Sequence, residues 1–174
     1  PLEASLEFLL GYFNSRPIRT LIQMQTASQT YTSGVLKELR WVRPEPAPER
    51  EVCGLALRAF HLVRAQLNQC EVDPFFCGIA AVRPFERSPK EVVAKWERQV
   101  ADTNLELRKV QSEIDRLVGE MYGLSEVDII RCERADDDTV PSFPPELTLK
   151  QEPLNLLMHY LAGCSFGRWT IDSG

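Results

Sequence analysis

Residues 88–125 read SPKEVVAKWERQVADTNLELRKVQSEIDRLVGEMYGLS. Apolar side chains recur in this stretch at Val93, Trp96, Val100, Leu107, Val110, Ile114, Leu117 and Met121. With Thr103 included, the steps alternate between three and four residues without a slip, giving a heptad seam in which only Thr103 is polar. A register held that long predicts one α-helix over 89–122, its seam turned toward a partner. At roughly 1.5 Å per residue such a helix spans about 50 Å. Ser88 followed by Pro89 and Glu91 has the pattern of a capping box with proline in the first turn. Gly123 follows the last seam residue, where a left-handed stop favours a residue without Cβ. Leu124 can close an apolar contact over the last turn, and Ser125 with Asp128 can cap a second, short helix. The stretch therefore predicts a long helix ending in a rigid corner.

Upstream, LEASLEFLLGYFNS has apolar residues at 2, 6, 9, 10 and 13, a helical spacing that stops at Asn14 and Ser15. Pro17 fits the first turn of a following segment, PIRTLIQMQ. ASQTYTSG suggests a short extended stretch or loop, and SGVLKELRWV one or two helical turns from Thr32 or Ser33. Prolines at 44, 46 and 48 suggest a stiff connector. From about Glu49 to Gln69, apolar positions 52, 55, 56, 59, 60, 62, 63 and 67 form a broad helical face. That helix is expected to pack antiparallel on the N-terminal half of helix 89–122, with residues 70–88 turning between them and Phe75, Phe76 and Phe85 capping a core. The sequence thus predicts a mainly α fold: a helical domain with a long heptad-patterned helix in an antiparallel helical hairpin, and little or no β structure. Its parts are a helical and loop segment over 1–43, a proline-rich connector over 44–48, the hairpin over 49–135, an acidic loop over 136–148 and a buried helix over 149–174.

The 174-residue chain is 44% hydrophobic and 26% charged, ordinary values for a globular domain with a real core. No apolar run approaches the ~20 residues of a membrane span. Five cysteines at irregular spacing fit reduced thiols in the cytoplasm better than a disulfide framework. The net charge of −5 is unevenly placed: residues 1–100 carry 13 Lys and Arg against 11 Asp and Glu, residues 101–174 carry 7 against 14. An acidic total argues against autonomous, non-specific DNA binding, which depends on neutralising phosphates.

Chemical motifs are sparse. Cys53, His61, Cys70 and Cys77 have the atom types of a zinc site but no close Cys-x-x-Cys pair, and buried free thiols are the simpler reading. Asp136–Asp138 resembles a solvated acidic run more than a cation site. No nucleophile elbow, phosphate-binding glycine loop or His-Glu-x-x-His occurs, so no catalytic residue, cofactor residue or metal ligand is assigned. Between Asn14 and Arg43, Arg16, Arg19, Lys37, Arg40 and Arg43 bracket a stretch containing Gln25 and Gln29. Arg and Gln are the side chains that reach phosphates and base edges, whereas a polar surface loop is the alternative.

Three separated stretches carry a resemblance. LEFLLGYFNSRPIRTLIQM with SQTYTSGVLKELRW, EIDRLVGEMYGLSEVDI, and LMHYLAGCSFGRW together resemble segments of large adenine-specific (N6) DNA methyltransferases, the Type IIG restriction–modification and BREX-like phage-defence group. The likeness covers about a third of the residues, and its third stretch is the most specific. It implies a bacterial, cytoplasmic parent that uses S-adenosylmethionine, with residues 1–43 flanking its catalytic core. The cofactor loop and the Asn-Pro-Pro-Tyr motif of that family are absent here, and DPFF at 73–76 is only a faint echo of such a motif. The resemblance therefore implies a non-catalytic helical fragment, without cofactor of its own, that positions target recognition relative to the methyltransferase domain. Its partners would be DNA and the catalytic and target-recognition regions of the same chain, with Arg16, Arg19, Gln25, Gln29, Lys37, Arg40 and Arg43 as the DNA-contact candidates. The alternative is a helical protein–protein interaction or oligomerisation module with no DNA role, in which the seam pairs with a partner protein or, as a homodimer, with a second copy. Where the seam finds its partner separates the two.

Overall fold

The computed structural model describes residues 4–25, 39–67, 88–139 and 153–165. These form α1 (Leu6–Asn14), α2 (Arg16–Gln25), α3 (Pro46–Leu67), α4 (Pro89–Met121), α5 (Glu126–Thr139) and α6 (Pro153–Ser165), with no strand among the described residues. The fold is mainly α. Two compact units draw on segments distant in sequence: one comprises residues 1–60 and 107–146, the other 61–106 and 147–174.

Helix α4 begins and ends as its sequence predicts. The Ser88 amide donates to Glu91 Oε2 at 3.1 Å, and the Glu91 amide returns a bond to Ser88 Oγ at 3.4 Å. This reciprocal box satisfies donors that the first turn would otherwise leave bare. At the other end Leu124 N–H donates to the Gly119 carbonyl and Gly123 N–H to that of Glu120, at 3.0 and 2.9 Å. Those two bonds define a Schellman stop, and Gly123 supplies its positive φ of 69°. Ser125 and Asp128 then exchange bonds to start α5: the Asp128 amide to Ser125 Oγ at 3.3 Å, the Ser125 amide to Asp128 Oδ2 at 3.2 Å. The Ser125 hydroxyl and amide bonds, with Arg131 adding a smaller share, hold the Asp128 carboxyl below its ordinary range. Glycine matters once more at Gly119, where an added Cβ would lie 2.7 Å from Ile129 Cδ1 and 2.8 Å from Ile129 Cγ1. The absence of a side chain there lets α5 fold back against α4.

The seam is covered within the chain. Trp96, Val100, Leu107, Val110, Ile114 and Leu117 are buried, joined by Val92 and Val118 beside it. In the first unit Val110, Ile114, Leu117 and Val118 share one core with Phe8, Tyr12, Ile18, Ile22 and Val52. In the second unit Gln66 Nε2 donates to Thr103 Oγ1 at 3.0 Å, and Thr103 donates to the Gln99 carbonyl at 2.8 Å. The polar member of the seam thus has a polar partner on α3.

Three expectations need correction, and the buried face of α1 is a further finding. Helix α3 begins at Pro46, inside the expected connector: Pro46 and Pro48 occupy a first turn, where a missing N–H costs nothing, and Glu49 N–H bonds to the Glu45 carbonyl at 3.0 Å. Helix α5 runs to Thr139, so Asp136–Asp138 lie in a helix and not in a loop. Its start is fixed by the Ser125 cap, and its sequence holds no breaker before Pro141, which disfavours helical geometry at Val140. The buried face of α1 is Phe8, Gly11 and Tyr12, whereas Leu6 is 78% exposed and Leu10 43%. Gly11 selects that face, because a Cβ there would lie 2.7 Å from Val52 Cγ1 and 3.3 Å from Ala56 Cβ. Helix α6 is not buried on most sides where its side chains are described: Tyr160 and Gly163 are buried while Met158 is 60% exposed. The expected features at 26–38, 70–87, 140–148 and 166–174 lie outside the described residues.

Leu107 is 2% exposed at the middle of the seam, so Leu107→Ala should cost about 2–5 kcal/mol in urea unfolding. A loss below about half a kcal/mol would mean the position is not packed. Nothing lies within 4 Å of a Cβ built on Gly123, so Gly123→Ala isolates backbone strain and should cost about 1–2 kcal/mol. Gly123→Asn should be milder, since Asn tolerates the left-handed region.

Candidate functional site

Among the described residues of the first unit, a buried polar cluster joins residues almost a hundred positions apart. The Asp115 side chain on α4 is fully buried. Its Oδ1 accepts from the Arg16 amide and from Gln111 Nε2, both at 2.8 Å, and the Arg16 guanidinium stands 3.5 Å from Oδ2. Gln111 Nε2 also donates to the Asn14 carbonyl at 3.2 Å. Ser15 sits at the N-cap position of α2, yet its hydroxyl donates back to the Tyr12 carbonyl at 2.7 Å. The cap is therefore supplied by Asp115 from another helix, placing a carboxylate at the positive end of α2. Pro17 lowers the number of amides that need a partner in that turn.

Above this cluster lies a group of aromatic rings. Phe8 and Tyr12 stack at 5.7 Å between centroids, and Trp41 approaches Tyr12 at 5.0 Å and Phe8 at 6.0 Å, edge-on to the latter. The Tyr122 hydroxyl donates to the Arg40 carbonyl at 2.6 Å and pairs with the Tyr12 hydroxyl. Tyr122 has a single hydroxyl proton, committed to a carbonyl that can only accept, so Tyr12 is the donor in the pair. The chain of bonds runs Tyr12 to Tyr122 to the Arg40 backbone. Leu39 and Trp41 pack on the core beside it, while Arg40 and Arg43 are exposed.

The predicted DNA-contact residues fall in different places. Arg16 faces Asp115 with its side chain 17% exposed, so its charge serves the α2 junction. Arg19 is half-buried in α2, and Gln25 is exposed at the end of that helix. Arg40 and Arg43 lie on the held segment, whereas Gln29 and Lys37 lie outside the described residues. Of the seven, Arg40 is exposed on a segment held by Tyr122, Leu39 and Trp41, and Arg43 is exposed three residues on. Tyr12 and Tyr122, which position that segment, belong to none of the chemical motifs in the sequence; a buried Tyr needing a hydroxyl partner is the general signal for them.

The thiols lie apart from this surface. Cys53, Cys132 and Cys164 are free and half-buried, and Cys53 lies 3.2 Å from Ser5 Oγ. Burial pushes the Cys132 thiol up, a bond to Thr20 partly opposes this, and the nearby Asp115 and Asp128 carboxylates add to the rise. His61 is exposed, and Cys70 and Cys77 lie outside the described residues. Among the described residues no group of three or more His, Cys, Asp or Glu is placed to hold a metal ion. In the second unit the buried Trp96 Nε1 and Gln99 Oε1 have no hydrogen-bond partner.

Asp115→Ala would remove the acceptor of the Arg16 amide, one of the two acceptors of Gln111 Nε2 and the carboxylate facing the Arg16 guanidinium. It should cost about 3–5 kcal/mol by urea unfolding, against a smaller loss for Asp115→Asn, which retains an acceptor. Burial first, then the bond to Tyr122, holds the Tyr12 phenol well above its ordinary value of 10.0. In the unfolded chain that phenol ionises near its ordinary value, so its contribution is complete below that pH and declines as pH rises past it. Unfolding free energies at about pH 9 and about pH 11 should therefore diverge less in Tyr12→Phe than in the parent, and equal divergence would contradict the coupling. No family model, curated protein or solved structure matches the chain.

Proposed function

We propose that this chain is a non-catalytic helical spacer and specificity region of a bacterial, cytoplasmic adenine-specific DNA methyltransferase of the restriction–modification or phage-defence kind. It positions target recognition relative to the methyltransferase domain. One observation carries the reading. Two of the stretches that bear the resemblance, LLGYFNSRPIR and EIDRLVGEMYGLSEVDI, are about a hundred residues apart and yet meet directly. Arg16 N–H binds Asp115, and Tyr12 pairs with Tyr122. The resembling residues thus build a junction and a corner, which is what a spacer needs when a flipped base must meet a fixed pocket. The seam's burial within one chain also favours a scaffold over a dimer formed through the seam.

S-adenosylmethionine belongs to the catalytic region of the parent. The spaces beside Gly11 and Gly119 are filled by Val52 and Ile129, and Gly54 and Gly123 lie in a helix and a helix stop. None forms a cradle for a nucleoside. The alternative, an interaction module without a DNA role, draws on one feature: Leu6, Leu10 and Phe13 make an exposed apolar stripe along α1.

Fluorescence anisotropy with duplex DNA at low and moderate salt tests the reading. The chain should bind in the ~10⁻⁴–10⁻⁶ M range of non-specific contacts and weaken steeply with salt. Arg40→Ala and Arg43→Ala should each weaken binding and lower the salt slope by about 0.9 for each phosphate no longer neutralised. No binding even at low salt removes the DNA-contact claim, and a calorimetric signal for S-adenosylmethionine would overturn the non-catalytic assignment.

A further inference from the structure

The segment around Arg40 is held in an unusual way. It is not helical, and residues on both sides of Arg40 face inward: Leu39 and Trp41 pack against the first unit's core. Arg40 itself faces out, and Arg43 follows on the same exposed stretch. Arg40 and Arg43 are the charged residues of Leu39–Pro44, and the exposed Glu45 follows directly. Its backbone is fixed from beneath by one directional bond, Tyr122 Oη to the Arg40 carbonyl at 2.6 Å, and Tyr122 is in turn held by Tyr12. Tyr122 immediately precedes Gly123, the residue that ends α4, so the helix stop sets where its hydroxyl can reach.

An arginine on a held backbone has less freedom to lose when it meets an anion, so fixing the segment strengthens binding without adding a contact. We propose that Tyr122 is a positioning residue that presents Arg40, with Arg43 three residues on, to the phosphate backbone of duplex DNA. This deepens the proposed function and rests on its DNA-contact reading. Tyr122 does not touch the DNA. It sets the place from which the two guanidiniums reach.

The two substitutions that remove a phenol hydroxyl differ in what they break. Tyr122→Phe removes the bond to the Arg40 carbonyl, whereas Tyr12→Phe leaves that bond in place. In anisotropy titrations Tyr122→Phe should weaken DNA binding about three- to ten-fold, the effect of removing one hydrogen bond. It should leave the salt slope unchanged, because no charge has been removed. Arg40→Ala should lower both affinity and slope. Tyr12→Phe should stay within about two-fold of the parent. Trypsin gives a second reading that needs no DNA: cleavage after Arg40 should be faster in Tyr122→Phe than in the parent at equal global stability. Parent-like affinity or parent-like cleavage in Tyr122→Phe overturns the positioning role, even where Arg40→Ala supports the DNA contact. A parent chain that binds no DNA at low salt overturns the contact reading and this inference together. Faster cleavage would then report only that Tyr122 holds the segment.

Discussion

The Asp115 carboxylate is the interaction on which the first unit depends. A buried charge is tolerated only where its oxygens are satisfied, and here the satisfying donors come from the α1–α2 junction and from one turn earlier on α4. The arrangement serves two ends at once. It neutralises the start of α2, whose own cap residue turns its hydroxyl elsewhere, and it closes a loop of almost a hundred residues at one point. Apolar contacts around it, from Ile18, Ile22, Val110, Ile114 and Val118, give the burial that makes the bonds strong and their removal costly. Hydrophobic packing alone would allow α1 and α2 to slide along α4. The carboxylate fixes the register.

The second half of helix α4 then acts as the spine of the first unit. It carries Asp115, the apolar core positions and the Schellman stop, so each turn has a structural duty, and the corner at Gly123 follows without a linker. Two glycines act where helices come closest: Gly11 admits Val52, and Gly119 admits Ile129. Each accepts the weaker helix propensity of glycine in exchange for close approach. Tyr122 sits at the end of this spine, and the geometry of the helix stop passes through its hydroxyl to Arg40. Structural bonds and the exposed cationic segment are thereby linked within one unit.

Features governed by local chemistry are legible in the sequence. The Ser88–Glu91 and Ser125–Asp128 caps, the Gly123 stop and the seam through Leu107 and Leu117 each follow from residue type and spacing. Where sequence and structure part, context beyond the local pattern is the cause. The most apolar stripe of α1 is not its buried face, because Gly11 offers a closer approach to Val52 than Leu6 or Leu10 could. Three prolines suggest a connector, but two of them fit the unpaired first turn of α3. Three consecutive aspartates suggest a loop, but they continue a helix already started by its cap. Arg16 suggests a phosphate contact, but Asp115, 99 residues later, occupies it. The pairing of Tyr12 with Tyr122 spans 110 residues, a distance over which no spacing rule operates.

Hydrogen exchange at the Arg16 amide tests the central claim most directly. It is the first amide of a helix, a position that ordinarily exchanges fast because no intrahelical carbonyl covers it. If Asp115 holds it as described, it should exchange about as slowly as the core amides of α4 near Leu117, with the opening energy of the whole unit. An Arg16 amide that exchanges like a frayed helix end, while those core amides stay protected, would contradict the account. The carboxylate would then be buried beside α2 without binding it.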